Sequence, residues 1–96
     1  MTANFWQEKH QDTITLGLTA DAQQTMGKIK FVALPKIGTR LTVGRAFMNV
    51  EAEKTVLDLD APVSGTVVTV NEAAIDDPSL LDEAAHSANW VVTLKA

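Results

Sequence analysis

The chain contains no cysteine and no tyrosine, and only 5% of its residues are aromatic. Without cysteine there are no disulfides, no thiolate metal sites and no cysteine nucleophile. No apolar run extends beyond a few residues, far short of the roughly 20 needed for a helical membrane span. The opening Met-Thr-Ala-Asn-Phe-Trp-Gln-Glu has neither the basic start nor the apolar stretch of a signal peptide, so a cytoplasmic protein is expected. Basic clusters are also absent, and the formal net charge is −4. Phosphate contacts need Lys and Arg, so neither nucleic acid nor an anionic membrane surface is an expected partner. The length of 96 residues suits one domain with one modest core.

What is present is mostly the period of two that half-buried strands require. Ile14, Leu16 and Leu18 alternate with Thr13, Thr15 and Gly17. Ile29 and Phe31 alternate with Lys28 and Lys30, and Trp90, Val92 and Leu94 alternate with Val91, Thr93 and Lys95. Turn residues fall between such runs at Pro35, Gly38, Gly44, Pro62, Gly65 and Asn71. The spacing predicts an all-β fold with minor helix, a small sandwich or flattened barrel. Thr19 is placed to cap a short helix over residues 20–26, which Gly27 would end in a left-handed conformation. A second short helix is expected from Asp77, with Pro78 at its first position.

Arg45–Asp60 reads as a hairpin. Ala46, Met48 and Val50 form one inward set and Leu57 and Leu59 another, while Phe47, Asn49, Glu51 and Glu53 face the other way with Val56, Asp58 and Asp60. A turn at Glu53-Lys54 would put Lys54 at the apex. An apical lysine is ordinarily a solvated one. Lys54, however, is the only Lys or Arg between Arg45 and Lys95, and it sits almost midway between Gly44 and Gly65. Two glycine turns around a hairpin suggest two similar halves that hold an amine away from packing, where a modifying enzyme can reach it.

Gly17-Leu18-Thr19-Ala20-Asp21, Gly27–Thr39, Phe47-Met48-Asn49-Val50-Glu51-Ala52-Glu53-Lys54, Ala61-Pro62-Val63-Ser64-Gly65 and Asp77-Pro78-Ser79-Leu80-Leu81 together resemble the lipoyl-carrier family, and most closely its glycine cleavage H proteins. The resemblance implies the flattened lipoyl-type barrel (the barrel-sandwich hybrid) over residues 1–96, with lipoic acid amide-linked to Lys54. It implies that Glu51, Gly44 and Gly65 help lipoate-attaching enzymes recognise the hairpin. It further implies a carrier that is not itself an enzyme and that shuttles an aminomethyl group. Its expected partners are a lipoate ligase or lipoyl transferase, glycine decarboxylase, aminomethyltransferase and dihydrolipoyl dehydrogenase.

The chain departs from the family pattern in three places. It ends at Leu94-Lys95-Ala96 where a C-terminal helix is usual, it has Phe5-Trp6-Gln7-Glu8-Lys9-His10 in place of a His-Glu-Trp piece, and Ala85–Asn89 replaces a Gly-rich run before Trp90. These features resemble the short H-like branch found in bacteria, which implies an alternative role in lipoate relay or redox regulation with macrodomain and sirtuin-type ADP-ribosylation enzymes. A third reading is an unmodified interaction module whose acidic hairpin face binds a basic partner. Biotinyl carriers share the fold but flank their lysine with Met, whereas here the neighbours are Glu53 and Thr55. Asp58, Asp60, Asp76, Asp77, Asp82 and Glu83 do not follow calcium-loop spacing and read as a solvated acidic surface. His10 and His86 have no nucleophile or ligand motif nearby, and Trp6 and Trp90 read as packing residues.

Overall fold

The computed structural model describes residues 4–96. These residues form eight strands and four short helical pieces: β1 Phe5–His10, β2 Thr13–Leu18, α1 Ala20–Met26, β3 Ile29–Ala33, β4 Arg40–Leu41, β5 Ala46–Ala52, β6 Val56–Asp60, β7 Gly65–Val70, α2 Glu72–Asp76, a 3₁₀ turn over Pro78–Asp82, α3 His86–Asn89 and β8 Trp90–Lys95. All strand pairs are antiparallel and form two sheets, one ordered β1-β2-β8-β7-β4 and the other β3-β5-β6. The expected mainly-β, two-sheet architecture is therefore borne out, although no strand is shared to close the sheets into a barrel.

The core joins both sheets. Leu16, Leu18, Val67, Val92 and Leu94 come from the larger sheet, and Ile29, Val32, Met48, Val50 and Leu59 from the smaller. Each buried side chain of this size contributes about 1.5–3 kcal/mol. Ala22 and Met26 bury one side of α1 against this core, and Thr19 Oγ1 caps the helix by accepting from the Ala22 amide at 3.1 Å. Asp77 caps the turn that follows it through the Ser79 amide. That segment is 3₁₀ rather than α-helical, and α2 and α3 were not expected.

Three departures from strict alternation trace to register shifts, each of which moves a side chain to the opposite face. A shift between Ile29 and Phe31 buries Ile29 and Val32 and leaves Phe31 outside, 48% exposed. Another lies between Ala46 and Met48, so Ala46 is exposed while Phe47 turns to meet the Phe5 ring at a centroid distance of 5.3 Å. At β8 the irregularities beside Gly17 and Val67 bury Val91 together with Val92 and leave Trp90 only half-buried.

Polar side chains hold the helical pieces in place. Gln23 Nε2 donates to the carbonyls of Leu81 and Glu83 at 2.7 and 2.8 Å. Buried Asn89 donates to the same Glu83 carbonyl at 2.8 Å and accepts from Trp6 Nε1 at 2.8 Å. Asn71, expected only to mark a turn, is buried and donates to the carbonyls of Ala88 and Trp90. Asp82 Oδ1 accepts from the Ile29 amide at 3.0 Å. Burial pushes the Asp82 carboxyl above its ordinary value of 3.8, against the pull of the Ile29 amide and the Lys28 ammonium, and Glu83 and Glu53 add to the rise.

Two predictions concern these supports. A raised folded-state pKa means that the native protein holds its proton to higher pH than the unfolded chain does. The stabilisation from protonated Asp82 is therefore full below 3.8 and is lost as pH climbs through the raised value. Asp82→Asn keeps the acceptor for Ile29 and should gain on the wild type as pH rises from 3.8 towards neutrality. Urea midpoints measured at several pH values check this; a constant difference between the two proteins contradicts it. Trp6 lies flat on Gly17, where an added Cβ would collide with the indole ring. Gly17→Ala should cost about 1–3 kcal/mol and red-shift the tryptophan emission as the ring is displaced, while an unchanged melting temperature would contradict the packing.

Candidate functional site

The hairpin turns where the sequence places it. Glu51 pairs with Val56, and the Ala52 amide donates to the Thr55 carbonyl at 2.9 Å, leaving Glu53 and Lys54 as the tip. The tip does not stand free. The Glu53 amide donates to the Lys28 carbonyl at 2.8 Å, and the Lys54 amide donates to the Met26 carbonyl at 3.0 Å. The backbone leaving α1 thus grips the turn at two successive residues.

Gly27 makes this approach geometrically feasible. Its φ of 76° and ψ of −160° lie in a region that essentially only glycine occupies, not in the left-handed helical conformation expected for a cap. A Cβ there would sit 3.1 Å from Glu53 Oε1, 3.2 Å from Glu53 Cβ and 3.3 Å from Lys54 Cγ. Gly27 therefore does more than end a helix: it is the close contact between α1 and the tip. The glycine itself is visible in the sequence, but no local signal links it to a turn 26 residues later.

From this fixed backbone the Lys54 side chain is exposed, and its Nζ donates to the Gln24 carbonyl at 3.1 Å. Among the described residues Lys95 pairs with Asp12 and the His86 ring meets Glu8, and neither contact involves Lys54. One exposed hydrogen bond to a neutral carbonyl is worth about 1 kcal/mol, which an enzyme can displace. The amine is nucleophilic in type, reachable and anchored at its Cα. An acyl group fits there without removing any buried partner.

Glu51 is exposed on the last β5–β6 ladder pair before the tip, three residues from Lys54, so both lie at the same end of the hairpin. Gly44 and Gly65 do not. They flank the base of the hairpin, which the seven-residue β5 at about 3.3 Å per residue separates from the tip by roughly 20 Å. Gly44, with φ 84°, forms a turn whose amide donates to the Ala61 carbonyl at 2.9 Å. Gly65 closes no turn. It opens β7 opposite Leu41, packed so that a Cβ would lie 3.1 Å from Leu94 Cβ. The two glycines mark the places where the chain crosses between sheets, before β5 and after β6.

On the far sheet, Trp6 stacks on His86 at a centroid distance of 3.9 Å, and His86 Nδ1 meets Glu8 Oε1 at 2.7 Å. With Trp90 and Thr93 these residues line an open groove. The acidic residues gather no metal site: among the described residues no three His, Asp or Glu side chains converge. Among the same residues no helix is long and apolar enough to cross a membrane.

Known proteins share this sequence pattern and this fold. The family model for the glycine cleavage H-protein matches residues 1–96. A glycine cleavage system H protein of Geobacillus thermodenitrificans is 39% identical over 90 residues, covering 94% of this chain and 71% of that protein. A probable glycine cleavage system H protein of Haloarcula marismortui is 44% identical over 95 residues, covering 99% and 75%. The crystal structure of a glycine cleavage system H protein from Mycobacterium marinum superposes with a TM-score of 0.86 at 34% identity, covering 96% of this chain and 77% of that one. With its two-sheet fold, its clamped hairpin and these relatives, the chain belongs to the glycine cleavage H-protein family, whose members carry lipoate for partner enzymes and are not catalysts themselves.

Proposed function

We propose that residues 1–96 form one lipoyl-type domain that carries lipoic acid in amide linkage on Lys54 Nζ and shuttles an aminomethyl group between the enzymes of glycine cleavage. The observation that carries this reading is an exposed amine that forms no ion pair among the described residues, mounted on a turn whose backbone is hydrogen-bonded to the segment leaving α1. When attached, lipoate supplies a dithiolane that cycles between disulfide and dithiol and holds the carried group. The protein's share is position. Gly27 and the carbonyls of Met26 and Lys28 hold the tip, so a flexible arm there sweeps a defined volume and presents its end at high effective concentration to a docked partner. Glu51 lies within the footprint of an enzyme acting on Lys54. Gly44 and Gly65 serve modification indirectly, by setting the base from which the hairpin rises. A lipoate ligase or lipoyl transferase loads the arm, and glycine decarboxylase, aminomethyltransferase and dihydrolipoyl dehydrogenase use it.

Intact-mass spectrometry after incubation with lipoate, ATP and a bacterial lipoate ligase should show the addition of one lipoyl group, absent in Lys54→Arg. A wild-type mass that stays unmodified with several ligases would leave the acidic interaction module as the better reading. The loaded protein should then support glycine decarboxylation with the other three components. Loading without that activity would favour lipoate relay or redox regulation linked to ADP-ribosylation.

Gly27→Ala tests the clamp. The strained backbone and the crowding against Glu53 and Lys54 should cost about 1–3 kcal/mol and slow lipoylation, because the tip is pushed off its support. A variant destabilised by that amount but modified at the wild-type rate would show that the ligase does not need the tip held.

A further inference from the structure

The outer face of the small sheet carries an apolar rung where a solvated strand surface would normally be polar. Phe31 of β3 pairs with Glu51 of β5, and Glu51 pairs with Val56 of β6, so the three side chains form one cross-strand row. Their neighbours Val32 and Val50 are buried and Leu57 packs against the core, which fixes this row as outward-facing. Phe31 is 48% and Val56 66% exposed, and Glu51 stands between them. Phe31 faces outward because of the register shift after Ile29, the kind of irregularity that re-aims a side chain next to functional sites. This is also the last rung before Lys54. The row below it is polar and acidic on its β6 side, with Asn49 Nδ2 bound to Asp58 Oδ1 at 2.9 Å.

We infer that Phe31, Glu51 and Val56 form the docking surface for the enzyme that acylates Lys54, a partner presenting a basic side chain between two apolar recesses. This inference rests on the carrier reading of Lys54 and adds to it the surface that brings the enzyme there. Glu51 and Asp58 complement the base, and Glu53 at the tip extends the same charge. Phe31 and Val56 supply apolar area that is dry only when the partner is bound. Because the row sits on paired strands within a few residues of the amine, the partner's grip on the sheet also sets where Lys54 lies. The other large exposed apolar side chains, Ile37, Val43, Val68 and Ile75, lie outside β3, β5 and β6.

Steady-state lipoylation with a bacterial lipoate ligase, at varied concentrations of the full chain as acceptor, separates the possibilities. Phe31→Ser and Val56→Ser should each raise KM for the acceptor by about 5- to 10-fold with little change in kcat, and Phe31→Leu should restore most of the loss. Ile75→Ser is the control and should behave as wild type. Thermal unfolding accompanies each variant; should Phe31→Ser lose its cooperative transition, Val56→Ser, at the sheet edge, decides the outcome. Wild type modified at Lys54 while the Phe31 and Val56 variants keep KM within about twofold overturns the docking surface and leaves the carrier reading intact. An equal rise in Ile75→Ser overturns it as well. Wild type left unmodified at Lys54 overturns both.

Discussion

Two backbone hydrogen bonds, from the amides of Glu53 and Lys54 to the carbonyls of Lys28 and Met26, determine what the hairpin can be. A two-stranded ribbon is marginal in water and its tip frays. Here β3 adds a third strand, and the segment leaving α1 closes over the turn itself. Gly27 sits at this approach, where a Cβ would crowd the Glu53 and Lys54 side chains and the φ of 76° would strain any other residue. The remaining architecture holds α1 where it can make this contact. Ala22 and Met26 anchor the helix in the core, and Gln23 ties it to the Leu81 and Glu83 carbonyls. Asn89 shares the Glu83 carbonyl and reaches back to Trp6 on the first strand. The amine is thus supported, through packed and hydrogen-bonded elements, from one end of the chain to the other.

The arrangement divides labour in a way that suits carrying. The chain has no cysteine, and what it supplies to the tip is geometry. A rigid mount and a long arm act on different length scales. The mount limits where the arm begins, and the arm's freedom then searches a volume instead of the whole solution. A mobile tip would dilute the attached group over a larger region and weaken its presentation to every partner. Enzymes that must recognise the carrier before loading it also gain from strands whose side-chain rows are fixed by their ladder. On the proposed reading, recognition and delivery make the same demand on the hairpin, that Lys54 Cα stay still while Nζ stays reachable.

Much of this is legible in the residues. The alternation across Thr13–Leu18 and on either side of Glu53-Lys54 marks strands and their turn, and the isolation of Lys54 from other bases singles out the amine. Local rules also find the Thr19 cap and the Asp77-Pro78 start, because capping is chemistry between near neighbours. They fail at the bulges. A one-residue slip leaves composition and spacing untouched yet reverses the facing of a side chain, so Phe31, Phe47 and Trp90 each appear on the face that alternation denies them. They fail too at contacts made across the chain. Nothing near Gly27 announces Glu53, and nothing near Gln23 or Asn89 announces that the Glu83 carbonyl will receive both.

The bulges have opposite consequences at the two ends of one small sheet. At the base, the shift beside Ala46 turns Phe47 inward to the Phe5 ring, joining the sheets where the chain repeatedly crosses between them. Near the tip, Ile29, Val32, Val50 and Met26 already fill the interior, and a further aromatic ring would overpack it. The shift after Ile29 avoids that by sending Phe31 outward onto the rung of Glu51 and Val56. One device thus closes the core at one end and leaves apolar area open at the other. That open area makes no contribution to the core and lies beside the Lys54 amine, the proposed attachment point. Phe31 is one of six large apolar side chains left exposed among the described residues; what sets it and Val56 apart is their place on the rung adjoining Lys54, where the proposed partner would cover them.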